Sequence, residues 1–185
     1  RVVRGEETQR LGRLAMDPGF KGPVCRPGPH AKWAMSEDNT VTRFETAMTG
    51  ELFELLSTHS VLKHAVAGAN AELPDDDGYQ QGFDAGLSAP ERLDAMLFRT
   101  RASMLVSGRS PEWCRAYLSG LLVGTEIAAF RSWRGEAPIA LIGSERLCSL
   151  YARALARDGA EARIIDATAA TRAGLAAARL KIKDM

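Results

Sequence analysis

The spacing of apolar residues changes twice along the chain. From about residue 24 to residue 47, apolar and polar residues alternate in short runs that stop at Pro27-Gly28 and again at the polar stretch "SEDNT", which predicts three short antiparallel strands. From about residue 51 onward, apolar residues recur every three or four positions, which is the spacing of helices. After residue 137, "PIALIGS" predicts a short buried strand and "AEARIID" a second strand, each followed by a helix.

Two helical patterns lie before residue 67. "ELFELLSTHSVLKHAV" predicts a helix over residues 51 to 66, and an earlier pattern near the start of the chain places Leu11, Leu14 and Ala15 on one face. Residues 68 to 78 are polar and rich in turn formers, so they predict a surface loop. The apolar stripe of the helix at 51 to 66 is expected to be Leu52, Leu55, Leu56 and Val61.

A helical block is predicted at about 79–132. Its segments are expected at about 79–88, 90–107 and 111–131. Ser110 before Pro111 is a typical start for the last segment, because serine caps the first amides and proline fits the first helical turn. The stripe that this last helix should place in the core is Tyr117, Leu118, Leu121, Leu122 and Ile127.

The order of elements predicts the fold. Three strands, a helix, an inserted helical block and then strand, helix, strand, helix is the order of a ribonuclease H-like domain: an α/β fold with a mixed sheet and helices on both faces. We assign residues 23–185 to this domain, with the insertion at about 79–132. Residues 1–22 are expected to be the end of a preceding domain and a connecting helix.

The composition narrows the range of partners. Lys and Arg total 24 and Asp and Glu 23, so no charge excess favours nucleic acid or a membrane surface. The three cysteines are far apart and form no CxxC pair, which favours reduced core residues and a cytoplasmic protein. No segment resembles a signal peptide or a membrane span, and no spacing of ligands predicts a metal site. The sequence leaves open a homodimer.

The turn in "RPGPHAK" connects the first two predicted strands. The same order of elements occurs in the C-terminal domain of the superfamily of sugar kinases, actin and heat-shock ATPases, in which this turn approaches the nucleotide phosphates. Gly28 would permit that approach, and His30 and Lys32 could add positive charge. The alternative interpretation of the same residues is a hairpin turn stiffened by proline, with basic residues exposed to solvent.

Five stretches together resemble the 2-dehydro-3-deoxygalactonokinase family, in order over nearly the whole chain. Members phosphorylate the 6-hydroxyl of 2-dehydro-3-deoxy-D-galactonate with ATP and magnesium, in galactonate catabolism, and the resemblance implies the same activity here. The most specific stretch is the third of the five: "RGEETQ" at 4–9, "PGPHAKW" at 27–33, "MTGELFELLSTHSVL" at 48–62, "SPEWCRAYLSGLLVGTEI" at 110–127 and "LIGSERLCSLYARAL" at 141–155.

The resemblance also implies roles for individual residues. It assigns the phosphates to the turn already described, the adenosine to Gly143 and Ser144, and the sugar acid to two clusters: Arg4, Glu6 and Glu7, and Thr49, Gly50 and Glu51. Each assignment has a simpler alternative. A glycine before a serine N-cap is how many helices begin, and a cap with charged residues in a first helical turn would explain the two clusters.

Two departures from the family pattern affect these expectations. The family usually has PGTHSK where this chain has Pro27-Gly28-Pro29-His30-Ala31-Lys32, so two hydroxyls and one backbone amide are lost. The Asp-x-Gly-Thr hairpin with which the family begins has no counterpart, so we expect this sequence to be a part of the working protein. The catalytic base, generally an aspartate in the cleft, is not identified.

Two other functions remain open from the sequence. A non-catalytic or truncated kinase-like protein that binds a nucleotide without turnover is favoured by the altered turn and the absent hairpin. A kinase of the same superfamily acting on a different sugar acid is the second alternative, because discrimination between epimers depends on a few hydrogen bonds that the sequence does not position.

Overall fold

Five strands form one mixed sheet in the computed structural model, which describes residues 20–38, 40–70, 75–135 and 137–183. The order across the sheet is β3-β2-β1-β4-β5, with the first three strands antiparallel and β4 and β5 parallel to β1. This order and these directions confirm the predicted ribonuclease H-like fold. The strands are β1 (Gly22–Arg26), β2 (Ala31–Glu37), β3 (Thr40–Ala47), β4 (Ile139–Gly143) and β5 (Ala162–Asp166).

The helices follow the predicted order with altered bounds. They are α1 (Thr49–Thr58), α2 (Lys63–Val66), α3 (Asp76–Ser88), α4 (Leu93–Ser107), α5 (Pro111–Ala129), α6 (Glu145–Arg157) and α7 (Ala167–Lys183), with short 3-10 turns at Pro90–Arg92 and Arg131–Trp133. No helix of the described residues is long and apolar enough to cross a bilayer. The early helix predicted around Leu11 lies outside the described residues.

Helices lie on both faces of strand β4, which is between β1 and β5 in the sheet. Its residues are buried at four of five positions, as expected of a parallel strand between two layers. Ala140 and Ile142 pack with Ala170 of α7. Gly143 points to the opposite face, because side chains alternate along a strand, and there it meets Cys148 of α6.

The chain forms two compact units. The first, which we call the sheet unit, comprises the chain up to Ala47 and from Trp133 onward; the second, the helical unit, is Met48–Ser132. The insertion predicted at about 79–132 lies within the helical unit, which also includes α1 and α2. The boundary predicted between residues 22 and 23 stays a prediction.

The helical unit is built around α5. The capping predicted for this helix is confirmed, since the Ser110 hydroxyl accepts a hydrogen bond from the Trp113 amide at 3.1 Å. The predicted core stripe is confirmed as well, because all five of its members are buried: Tyr117, Leu118, Leu121, Leu122 and Ile127.

The helix predicted at 51–66 is wrong in two respects. The structure divides it into α1 and α2, because the Ser60 hydroxyl donates to the Leu56 carbonyl and accepts from the Leu62 amide, which stabilises a turn. Of the predicted stripe, Leu56 packs on the core, whereas Leu52, Leu55 and Val61 are exposed.

The predicted surface loop at 68–78 also extends too far. Helix α3 begins at Asp76, because Asp75 acts as its N-cap and accepts a hydrogen bond from the Gly78 amide at 2.7 Å. The three consecutive aspartates therefore belong to the start of a helix, where carboxylates are favourable.

Candidate active site

The β1–β2 turn occupies residues 27–30, between Arg26 and Ala31. Gly28 is half-buried, and a Cβ atom placed on it would meet nothing within 4 Å. Its φ is not in the left-handed region, so neither backbone conformation nor packing requires glycine there. The turn leaves open space beside Gly28.

Basic residues flank this open space. His30 is exposed, and Lys32 is half-buried at the start of β2, where it pairs in register with Arg26. The Lys32 ammonium donates to the His30 carbonyl oxygen at 3.3 Å, so the lysine folds back over the turn. Ammonium groups with three donors bind phosphate well as point charges.

Strand pairing brings the two predicted nucleotide segments together. Strands β1 and β4 are parallel, with Cys25 opposite Leu141, so their carboxyl ends lie at one edge of the sheet. A Cβ atom on Gly143 would lie 3.5 Å from the carbonyl oxygen of Pro27. Ligands of open α/β sheets bind outside the carboxyl ends of strands, and this edge therefore suits a ligand.

Ser144 is the N-cap residue of α6. Its backbone carbonyl accepts a hydrogen bond from the Cys148 amide at 2.9 Å, while its side chain makes no capping hydrogen bond. The hydroxyl is exposed. Capping of the helix by the serine side chain, the simpler alternative for this residue, is therefore not what the structure shows.

Cys148 lies directly beneath Gly143. A Cβ atom on Gly143 would be 3.5 Å from the Cys148 sulfur, and the cysteine itself is fully buried. Burial raises the pKa of the Cys148 thiol, so it stays protonated and packs as a small apolar group. All three cysteines are buried and free, as predicted.

Asp166 is a residue at this edge that the sequence analysis missed. It ends β5, pairs in register with Gly143 and accepts a hydrogen bond from the Ala169 amide at 2.5 Å. The signal was an acidic residue between a predicted strand and a predicted helix. Within the described residues, no group of three His, Cys, Asp or Glu side chains could hold a metal ion.

The second predicted sugar-acid cluster forms the first turn of α1, in the helical unit. Thr49 is buried, and its hydroxyl donates a hydrogen bond to the carboxylate of Glu126 on α5. Gly50 and Glu51 are half-buried. The first cluster, Arg4, Glu6 and Glu7, lies outside the described residues.

The strand order and directions define the class of the domain: it is an α/β domain of the ribonuclease H-like type. A family model described as 2-keto-3-deoxy-galactonokinase, a synonym of the family named above, matches residues 1–178. The chain belongs to this family. The predicted resemblance is confirmed.

Individual relatives agree with this assignment. "Probable 2-dehydro-3-deoxygalactonokinase DgoK1" of Rhizobium meliloti strain 1021 is 40% identical over 178 residues, which is 96% of this chain and 58% of the relative. The 2-dehydro-3-deoxygalactonokinase of Escherichia coli K12 is 33% identical over 175 residues, which is 94% of this chain and 58% of the relative. The chain therefore spans less than two thirds of either relative.

A solved structure resembles this one closely. It is the crystal structure of a candidate 2-dehydro-3-deoxygalactonokinase from Sinorhizobium meliloti, with a TM-score of 0.91 and 40% sequence identity. The match covers 98% of this chain and 61% of that one. The fold described above is thus also the fold of the matching part of that crystal structure.

Proposed function

We propose that this chain takes part in the ATP-dependent phosphorylation of the 6-hydroxyl of 2-dehydro-3-deoxy-D-galactonate, in galactonate catabolism. Family membership supports the reaction and the substrate. The single observation that carries the proposal to these residues is the parallel pairing of β1 and β4, by which Pro27 lies against Gly143. That pairing gives the phosphate turn and the adenosine segment a common edge.

In this proposal the turn binds the terminal phosphates of ATP. The open space at Gly28 allows phosphate oxygens to approach the backbone, the Lys32 ammonium attracts them, and His30 is a further side chain beside them. Pro29 supplies no amide hydrogen and Ala31 no hydroxyl, so more of the phosphate affinity falls on Lys32 than in a turn with PGTHSK.

The adenosine lies along Gly143 and Ser144. A glycine at the end of β4 keeps the surface flat where the ribose or the adenine would rest, and the exposed Ser144 hydroxyl can donate to it or accept from it. The Asp166 carboxylate at the neighbouring strand end is a further acceptor for ribose hydroxyls.

Phosphoryl transfer needs aligned phosphates and neutralised charge more than covalent chemistry from the protein. Magnesium bound with ATP would offset the negative charge of the phosphates that the turn binds.

The sugar acid is assigned to Arg4, Glu6 and Glu7 and to the segment Thr49-Gly50-Glu51. We also infer a cytoplasmic location, which the three free buried cysteines support, and a homodimer as the assembly to test.

The test compares Lys32→Ala with Lys21→Ala. Lys21 is the matched control, because it is an exposed lysine of the sheet unit paired with Asp38 at 2.8 Å. ADP release is measured with magnesium-ATP and 2-dehydro-3-deoxygalactonate, and folding is checked by circular dichroism. Lys32→Ala should lower kcat/KM for ATP about 10- to 100-fold, the worth of one charge-assisted contact, and Lys21→Ala should leave it unchanged.

Each failure has a separate meaning. Equal kinetics for both variants would show that the turn does not bind the phosphates. If the gluconate epimer were phosphorylated as efficiently as the galactonate compound, the proposed substrate specificity would be wrong. A folded wild-type chain that binds ATP without turnover would favour the non-catalytic, kinase-like alternative, which the loss of the turn's hydroxyls supports.

A further inference from the structure

Glu126 is a buried carboxylate in the middle of an apolar helix surface. It is 5% exposed, and its neighbours along α5, Leu122, Val123, Ile127 and Phe130, are all buried. Burying a carboxylate is unfavourable unless hydrogen bonds replace its water. Packing alone therefore does not explain an ionisable side chain at this position.

The hydrogen-bond partner of Glu126 is the first residue of α1. The Thr49 hydroxyl donates to the Glu126 carboxylate, so the negative charge lies at the N-terminal turn of α1, where the helix dipole favours it. Met48, the N-cap residue of α1, makes no side-chain capping bond. The start of α1 is therefore held by a carboxylate from another helix.

This bond limits what Thr49 itself can do. Thr49 is 8% exposed, and its only hydroxyl proton is directed at Glu126. Gly50 and Glu51 are more exposed and follow in the same turn, ahead of the Leu52 amide that donates the helix's first bond, to the Met48 carbonyl, at 2.8 Å. An anchor at Thr49 thus fixes the orientation of the two residues after it.

We propose that Glu126 is a positioning residue for sugar-acid binding. It acts through the Thr49 hydroxyl and holds the first turn of α1 so that Gly50 and Glu51 are presented to the sugar acid, while Thr49 serves as the anchor. This inference rests on the proposed function of the segment Thr49-Gly50-Glu51.

The decisive variants are Glu126→Gln, which keeps the side-chain volume and removes the charge, and Thr49→Val, which keeps the shape and removes the hydroxyl. Steady-state kinetics of the 185-residue chain should show KM for the sugar acid raised about fivefold to tenfold in each, the worth of one hydrogen bond. KM for ATP and kcat should change by less than about twofold. The double variant should be no worse than Thr49→Val alone, since both changes act on the same contact.

Hydrogen exchange supplies a readout that does not need turnover. The amides of residues 52–54, the first to make helical hydrogen bonds in α1, should exchange faster in both variants, and Thr49→Ser should restore both the protection and KM. Matched controls are Thr58→Val, which removes a hydroxyl bonded to the Glu54 carbonyl at the other end of α1, and Glu112→Gln in the first turn of α5. Both controls should leave KM for the sugar acid unchanged.

Several outcomes would overturn the inference. Unchanged exchange at residues 52–54 would show that Glu126 does not hold the first turn of α1. Faster exchange with an unchanged KM for the sugar acid would show that Glu126 has a structural role only. Lower stability with unchanged KM values for both the sugar acid and ATP would show the same. A folded wild-type chain that neither binds nor phosphorylates the sugar acid would overturn the proposed function and this inference with it, whereas normal wild-type kinetics with unaffected variants would overturn this inference alone.

Discussion

Glycines lie at the contact of two helices in the helical unit, and at the ends of strands in the sheet unit. A Cβ atom on Gly82 would lie 2.1 Å from the Tyr117 carbonyl oxygen, and one on Gly120 would lie 2.1 Å from a backbone carbonyl of α3. A Cβ atom on Gly28 would touch nothing, and one on Gly143 would make ordinary contacts at 3.5 Å. Packing of the fold therefore requires glycine at Gly82 and Gly120, whereas it would tolerate a side chain at Gly28 and Gly143. The reason for a glycine at position 28 must then be functional.

The largest expected effect is that of Gly82→Ala. The added methyl group would collide with the α5 backbone, which cannot rotate away as a side chain can. We expect a loss of about 2–3 kcal/mol in the free energy of unfolding, after the gain of about 1 kcal/mol in helix propensity. The measurement is the urea midpoint and slope. A variant as stable as the wild type would mean that α3 and α5 are farther apart than described.

Gly28→Ala tests the other side of the comparison. Its free energy of unfolding should stay within about 0.5 kcal/mol of the wild type, since the methyl group enters open space. KM for ATP should nevertheless rise roughly threefold to tenfold, because the methyl group would enter the space that we propose for a phosphate oxygen. Loss of stability without a change in KM would reverse this interpretation of the turn.

The smallest effect concerns the pH dependence of the α3–α5 contact. Asp77 of α3 accepts hydrogen bonds from Gln81 at 2.9 Å and from the indole of Trp113 at 2.9 Å, and these, in that order, lower the pKa of Asp77 below its ordinary 3.8. A carboxyl whose pKa is lower in the folded chain contributes stability that is complete above its unfolded pKa and is lost as pH falls through the folded one.

Asp77→Asn should therefore be less stable than the wild type near neutral pH, and the difference should shrink as the pH is lowered through 3.8 and below. Urea unfolding at several pH values measures it. Asp76→Asn is the matched control, since Asp76 is the exposed neighbour in the same first turn. A difference between wild type and Asp77→Asn that is independent of pH would show that the Asp77 carboxylate does not stabilise the contact by its charge.

Local patterns were enough to predict the strands and α5, because alternation and helix capping depend on residues that are close together in the sequence. They failed at residues 51–66, because the Ser60 side chain forms hydrogen bonds with backbone groups that a continuous helix would use. The spacing of apolar residues carries no information about such hydrogen bonds. The close contact of α3 and α5 was missed although its signal was present, in small residues four apart: Gly78, Gly82 and Gly86, and Gly120 and Gly124.

The candidate site was predictable only in pieces. The turn at Gly28 and the segment at Gly143 could each be recognised, but their proximity depends on the parallel pairing of two strands more than a hundred residues apart. Glu126 had a weaker signal: one acidic residue within the apolar stripe of "LLVGTEIAAF". Its partner Thr49 is 77 positions away along the chain, so no local sequence pattern could have predicted this hydrogen bond.

The position of β4 in the chain has a consequence for synthesis. Strand β1 is paired on one side with β2 almost as soon as it is made, but its other neighbour begins only at Ile139. At about 5–20 residues per second, the ribosome needs on the order of ten seconds to reach it. During that interval the growing polypeptide carries an open strand edge beside Val24 and Cys25, which makes this the period when the nascent chain most needs protection from other chains.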